Sequence, residues 1–344
     1  MNFEEFKISS NATVKDAIIR LNALSSNTMT LFVVGDSEVV IGTVTDGDIR
    51  RGIVCGKSLN SSIQEVMNRN FHYLNESKVE EISIINCCRT HGIKLLPRLD
   101  EKRRLVDVYD LKEIKSILPI DAVIMAGGKG ERLRPLTNTV PKPLLKVGDL
   151  CIIDYNINNL KSHGVKNISV TVNYLAEQLD EHFSGSIVKT VHEPKFMGTM
   201  GAVQYVPYIE NETVLVMNSD LFTNIDLEKF YLHFIKNNAD MSVAVVPYTV
   251  AIPFGIFELE GRDIKGVIEK PTYNYYANAG IYLIKRDVLL SMIPGDNRFD
   301  ATDLIKKLID NKKKIIRFPI TGYWLDIGNK QDFDKAQEIA RHLH

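Results

Sequence analysis

Ile120 to Met125 is a short apolar run that stops in Ala126-Gly127-Gly128-Lys129-Gly130. A run of that length reads as a buried strand. Glycines behind it let the backbone bend tightly and turn its N–H groups inward, toward a phosphate. Downstream, the pattern alternates. Ile152–His163 reads as a helix, Ile168–Val172 as a strand, Ala176–Phe183 as a helix, and Val214–Met217 and Met241–Val246 as buried strands. Such alternation predicts an α/β domain with a mixed, mainly parallel, Rossmann-like sheet covered on both faces. Phe254–Leu259, Ile264–Glu269 and Ala277–Ile284 follow one another too closely for helices between them, so an antiparallel portion is expected. Asp300–Asp310 and Lys330–Leu343 read as closing helices.

The first third obeys a different rule. Val14-Lys15-Asp16-Ala17-Ile18 opens a helical stretch, followed by the strand-like Thr30–Val34 and Val39–Val44. The order recurs at Val79–Ile82, Lys94–Pro97 and Leu105–Val108. Each copy reads helix, strand, strand, helix, with the last helix starting at Asp46 or Asp110. One such unit leaves an apolar sheet face exposed, and two packed together cover it. The 344 residues therefore divide into an α+β domain, 1–118, and an α/β domain, 119–344, with Pro119 as punctuation.

Charge narrows the function. Lys and Arg number 42 against 43 Asp and Glu, and neither half carries the basic excess that would draw it to a nucleic-acid backbone. No apolar run approaches the ~18 residues needed to span a bilayer. The N-terminal MNFEEFKISS has acidic residues where a secretory signal is basic and then apolar, so a cytoplasmic location is expected. Cys55, Cys87, Cys88 and Cys151 form no CxxC pair, and the expectation is reduced, buried thiols rather than a zinc site.

Two familiar phosphate loops fail on spacing. A dinucleotide fingerprint needs a third glycine where Leu133 stands, which also sets aside a dehydrogenase, and a P-loop counted from Gly127 needs Gly-Lys at Arg132-Leu133. The residues just after the glycines are more informative. Arg134-Pro135-Leu136-Thr137 and Pro141-Lys142-Pro143-Leu144-Leu145 place Lys129, Arg132 and Lys142 beside a flexible backbone, a combination suited to a triphosphate. The pattern Ala126–Thr137 followed by Pro141–Leu144 resembles the sugar-phosphate nucleotidyltransferases. The resemblance continues through Glu193-Pro194, Gly198-Thr199-Met200-Gly201-Ala202, Asn218-Ser219-Asp220, Glu269-Lys270-Pro271, Asn278–Tyr282 and Trp324–Gly328, spanning residues 120–344. Ser219 departs from it, since many members carry glycine before the aspartate.

The resemblance implies a reaction: a nucleoside triphosphate plus a sugar 1-phosphate gives a nucleotide-sugar and pyrophosphate. It implies Mg²⁺ held by Asp220 and Asp326, with Arg132 and Lys142 on the leaving pyrophosphate and Lys270 on the phosphate of the sugar. Ala126, Gly127, Gly128, Gly130, Gly198 and Thr199 would contact the nucleotide, and Asn173, Glu269 and Asn278 the sugar. Independently of it, Asp220 ends an apolar strand, and the carboxyl ends of such strands face the ligand crevice. His192 reads as structural. The glycine-threonine segment looks most like the guanylyltransferase branch, which favours GTP, with UTP, dTTP and CTP as alternatives.

Gly42-Thr43-Val44-Thr45-Asp46-Gly47-Asp48-Ile49-Arg50-Arg51 resembles the signature of cystathionine-β-synthase-type (CBS) domains, and residues 1–118 look like a tandem pair. The resemblance implies a regulatory adenine-type nucleotide near Thr45 and Asp48, and a homo-oligomer. The second copy departs from it, with Tyr109 and Lys112 in the corresponding places, so one nucleotide site is expected. A competing reading of the whole chain is a nucleotide-sensing regulator whose transferase-like half binds without turnover. The presence of both carboxylates and both phosphate lysines argues for an enzyme instead.

Overall fold

A computed structural model describes residues 3–24, 29–75 and 80–342. The chain divides into two compact units, Met1–Leu118 and Pro119–His344.

In the first unit, Lys7–Ser9 pairs in parallel with Thr30–Val34, which pairs antiparallel with Val40–Thr45. Leu95–Leu99 and Leu105–Asp110 form an antiparallel pair, and a parallel bridge from Leu74 to Arg98 repeats the sense of the first copy's leading strand. Helices Val14–Ala23 and Asp46–Val54 each begin with a Thr-x-x-Asp capping box, Thr13 with Asp16 and Thr45 with Asp48. Two orphan N–H groups at each helix start are satisfied that way. The helix expected from Asp110 does not form. Tyr109 and Lys112 stand where the first copy has Thr45 and Asp48, so no capping box starts it. In its place is a single turn, in which Asp110 accepts from the N–H groups of Lys112, Glu113 and Ile114. In the second copy's first helix, Glu80–Thr90, Val79 lies outside the described residues.

The second unit is built on a seven-stranded sheet in the order Val188–His192, Ile168–Val172, Ile120–Met125, Thr213–Asn218, Thr272–Lys285, Met241–Ala251, Ile315–Pro319. Thr272–Lys285 runs antiparallel to both of its neighbours, and the other pairs are parallel. On one face, Val123, Val214, Val216, Tyr282 and Ile284 pack against Leu289, Leu304 and Leu308 from the helices Arg286–Met292 and Ala301–Asp310. Four parallel strands end on the same edge: Met125 leads into the glycine loop, Val172 into Asn173, His192 into Glu193 and Asn218 into Ser219-Asp220. Sheet topology alone thus gathers these residues at one rim.

Two strands run on beyond the core. The outer halves of Met241–Ala251 and Thr272–Lys285 carry a separate antiparallel hairpin, Ile256–Glu260 with Asp263–Ile268. Its Phe257, Leu259, Ile264 and Val267 are exposed, as are Phe254, Tyr275 and Tyr276 beside it.

Cysteine burial is mixed rather than uniform. Cys88 is buried, Cys151 half-buried, and Cys55 and Cys87 are exposed, because adjacent positions on a helix point to different sides. Cys151, Asp154 and His182 come within 4.8 Å of one another. There Asp154 caps the helix start by accepting from the Cys151 N–H, and it accepts from His182 Nε2 at 2.8 Å, so ordinary hydrogen bonds account for the group. No helix among the described residues is long and apolar enough to cross a membrane.

Asp121 ties the strand Ile120–Met125 to the connection that precedes its neighbour Thr213–Asn218. It is buried, and it accepts from the N–H groups of Glu210 and Asn211 and from the side-chain amides of Asn211 and Asn167. Asp121→Ala leaves partly buried donors without this acceptor and empties a buried site, and we expect a loss of about 2 kcal/mol in urea denaturation monitored by circular dichroism.

Candidate active site

At the carboxyl rim lies a cavity of about 770 Å³. Of the residues singled out in the sequence, Ala126, Gly127, Gly128, Gly130, Arg132, Lys142, Asn173, Gly198, Thr199 and Asp220 line it. Lys129 does too. Asp326, Lys270, Glu269 and Asn278 do not. Glu269 and Lys270 sit at the foot of the exposed hairpin. Asn278 is turned to its own strand, where Nδ2 donates to Tyr282 Oη and Oδ1 accepts from the Gly280 N–H. Asn173 donates through Nδ2 to the Glu193 carbonyl.

The glycines are dictated by their neighbours. A Cβ on Gly127 would meet Glu193 Oε1 at 2.4 Å, so only glycine lets the loop lie against that carboxylate. Gly198 has φ +80°, and a Cβ there would meet Asp300 Oδ1 at 2.6 Å. Asp300 in turn accepts from the Thr199 N–H at 3.1 Å, and Thr199 Oγ1 accepts from the Ala301 N–H at 2.8 Å. The Gly198–Thr199 turn is therefore clamped to the start of the Ala301–Asp310 helix.

The two carboxylates meet through strand pairing. Leu221–Thr223 pairs antiparallel with Trp324–Asp326, with Leu221 opposite Asp326, and the Ile327 N–H donates to the Asp220 carbonyl. Lys142 lies between them: its ammonium donates to Asp220 Oδ2 and stands 3.9 Å from Asp326 Oδ1. Asp220 Oδ1 and Asp326 Oδ1 are buried with no hydrogen-bond partner among the described residues. Buried carboxylate oxygens without donors are costly, and a pair of them is a donor set suited to a hard divalent cation. Burial, then the nearby Asp220 carboxylate, push the Asp326 carboxyl above its ordinary value, against the pull of Lys142 and Arg132.

Further residues complete the wall or its support and were not legible in the sequence as site residues. Glu193, Phe196 and Arg298 line the cavity, Arg298 stacking over the Phe196 ring and pairing with Asp300. Asp300 read only as a helix start. Ser219 lines the cavity, and its N–H donates to the Met125 carbonyl. His192 pairs with Asp180 at 3.0 Å, away from the wall.

The first unit holds its own cavity of about 650 Å³, lined by Thr45, Asp48, Arg51, His72, His91 and Lys94 among others. Thr45 and Asp48 there also form the capping box, so their side chains already bond each other.

Comparison with known proteins places these features. The model of the nucleotidyl transferase family matches residues 121–342. A Sulfolobus acidocaldarius protein provisionally named a mannose-1-phosphate guanyltransferase is 26% identical over 223 residues, 62% of this chain. Glucose-1-phosphate adenylyltransferase of Bacillus cereus is 29% identical over 250 residues, again 62% of this chain. The chain spans 61% and 66% of the length of these two relatives. In fold, the HddC structure from Yersinia pseudotuberculosis superposes with a TM-score of 0.51 at 24% identity, covering 64% of this chain and 98% of that one. None of these matches is CBS-like, and the N-terminal unit is described by its own small mixed sheets.

Glu193 gives a pH signature. Burial raises its carboxyl above the ordinary 4.5, more than the Met197 N–H and the Thr171 hydroxyl lower it. A raised folded value means stability that is full below the unfolded value and lost as pH rises through the folded one. Glu193→Gln keeps an acceptor for Met197 but never ionises. We expect a higher urea midpoint for the variant near neutral pH, and no gain at about pH 4.

Proposed function

The chain belongs to the nucleotidyl transferase family, and from that premise we propose that it transfers a nucleotidyl group from GTP to a sugar 1-phosphate, releasing pyrophosphate. One observation carries the proposal: the glycine loop, Arg132, Lys142 and Asp220 line a single cavity, with Asp326 paired beside Asp220.

The chemistry asks for positioning and charge neutralisation rather than a dedicated base. A sugar phosphate has a second pKa near ~6 and is mostly a dianion at neutral pH. Its oxygen attacks the α-phosphorus in line, and pyrophosphate leaves with the P–O bond electrons. Backbone N–H groups of Gly127, Gly128 and Gly130 cradle the triphosphate, and Arg132 and Lys142 hold the departing phosphates. Asp220 and Asp326 hold Mg²⁺, which when bound neutralises charge on the reacting phosphates. By the family likeness Lys270, at the foot of the hairpin and outside the cavity lining, is the residue for the phosphate of the sugar.

Support for GTP is the likeness of Gly198–Ala202 to the guanylyltransferase branch, together with the guanyltransferase name of one relative. The adenylyltransferase relatives make ATP its main rival. For the first unit we propose a regulatory nucleotide at Thr45 and Asp48 in a CBS-type pair, supported by the cavity those residues line beside Arg51 and Lys94.

The test is a turnover screen of ATP, GTP, UTP, CTP and dTTP against a panel of sugar 1-phosphates, with pyrophosphate detection. We expect Mg²⁺-dependent release with GTP and one sugar phosphate, abolished by EDTA and reduced by orders of magnitude in Asp220→Asn and Asp326→Asn. Release from no pair would leave a binding protein. Lys270→Ala is expected to raise KM for the sugar phosphate far more than for the nucleotide. An equal rise in both would count against its role.

A further inference from the structure

We propose that Lys142 is an exchangeable counter-ion: its ammonium group and a divalent cation compete for the Asp220–Asp326 pair, and a bound triphosphate decides the contest by drawing Lys142 to itself. The proposal rests on the reading of Asp220 and Asp326 as metal carboxylates.

The geometry sets up the competition. Lys142 enters from a 3-10 turn, Lys142–Leu144, framed by Pro141 and Pro143, and only 10% of its side chain is exposed. One ammonium serves two carboxylates, bonded to Asp220 Oδ2 and 3.9 Å from Asp326 Oδ1. Arg132 also pulls on Asp326, yet one buried oxygen on each aspartate has no donor among the described residues. A dication would satisfy both oxygens. At such short range, in a partly desolvated place, it would also repel the ammonium strongly. Both cations cannot hold the pair at full strength.

Lysine is suited to such an exchange. Its charge is compact and rides on a flexible four-carbon stem, with donors that rotate freely to a new partner. Lys142 also lines the cavity that holds Lys129 and Arg132, so an anion seated there offers it a second partner. Cation affinity of the protein alone is then held down by Lys142 and rises when a triphosphate takes Lys142 away. If Lys142 served phosphate alone, removing it would leave cation affinity of the protein unchanged.

The test is calorimetric titration of the full chain with Mn²⁺ alone, with a non-hydrolysable GTP analogue alone, and with Mn²⁺ in the presence of that analogue. Lys142→Met, which keeps most of the stem's packing, is expected to bind Mn²⁺ at least ~10-fold more tightly than the wild type while binding the analogue more weakly. Lys142→Arg, which retains the charge, should stay close to the wild type for Mn²⁺. Adding Asp220→Asn to Lys142→Met should abolish the gain and so locate it. Thermal unfolding checks that each variant is folded, with Lys142→Gln as the substitute if Lys142→Met is not. Equal or weaker Mn²⁺ binding by the charge-removing variant overturns this proposal and leaves the proposed transferase reading standing. Mn²⁺ binding by no protein, with or without the analogue, overturns the metal reading as well.

Discussion

Leu221 lies opposite Asp326 in a strand pair only three residues long, and the juxtaposition of Asp220 with Asp326 depends on that register. A slip of one residue would turn every side chain of the short strand to its other face and separate the carboxylates. Three residues cannot hold a register by themselves. It is fixed by the packing around it: Phe222 and Ile327 are fully buried in a cluster with Leu133, Leu145, Ile152 and Ala336. Phe222 meets Tyr155 edge-on, Trp324 Nε1 donates to the Ala279 carbonyl, and Asn156 Nδ2 donates to the Leu221 carbonyl. The same cluster includes Leu133 and Leu145, close in sequence to Arg132 and Lys142. One small core therefore positions both the carboxylates and the cations that face them.

Legibility of the fold in the sequence divides along physical lines. Ile120–Met125 and Ile168–Val172 are buried along nearly their whole length, so an apolar run of strand length suffices to find them. Val188–His192 gives a weaker signal because it is an edge strand whose apolar residues are interrupted by Lys189 and Thr190, and Ile315–Pro319 because it is an edge strand with exposed positions. Leu221–Thr223 and Trp324–Asp326 are too short to show a period. Met241–Ala251 and Thr272–Lys285 read shorter in the sequence than they are, since their outer halves leave the core and lose the apolar pattern. The helix expected at Asp110 errs in the other direction: repeat symmetry predicts it, but the local capping residues differ between the copies.

The candidate site divides in the same way. Glycines, Arg132, Lys142 and the two aspartates belong to recognisable motifs and can be named from them. Glu193 lies in a quoted motif that gave it no role, and Phe196, Arg298 and Asp300 owe their places to contacts between distant segments. Arg298 acquires meaning only when it lies over Phe196, and Asp300 only when it takes the Thr199 N–H. An aspartate at a helix start looks the same in sequence whether or not a carboxylate oxygen anchors a turn at a cavity wall. Lys270 and Glu269 belong to the motif yet lie outside the cavity, because the hairpin that leads to them stands clear of the sheet.

That hairpin carries a liability of its own. A two-stranded ribbon is marginally stable in water, and both of its edges present unpaired N–H and C=O groups to any strand that passes. Phe257, Leu259, Ile264 and Val267 make such an edge adhesive. Interspersed among them are Glu258, Glu260, Asp263 and Lys265, whose charges interrupt the apolar run and act as gatekeepers against aggregation. Neutralising them would leave the fold's core untouched while removing those interruptions, so the tolerance of this segment to substitution is governed by association between chains rather than by folding.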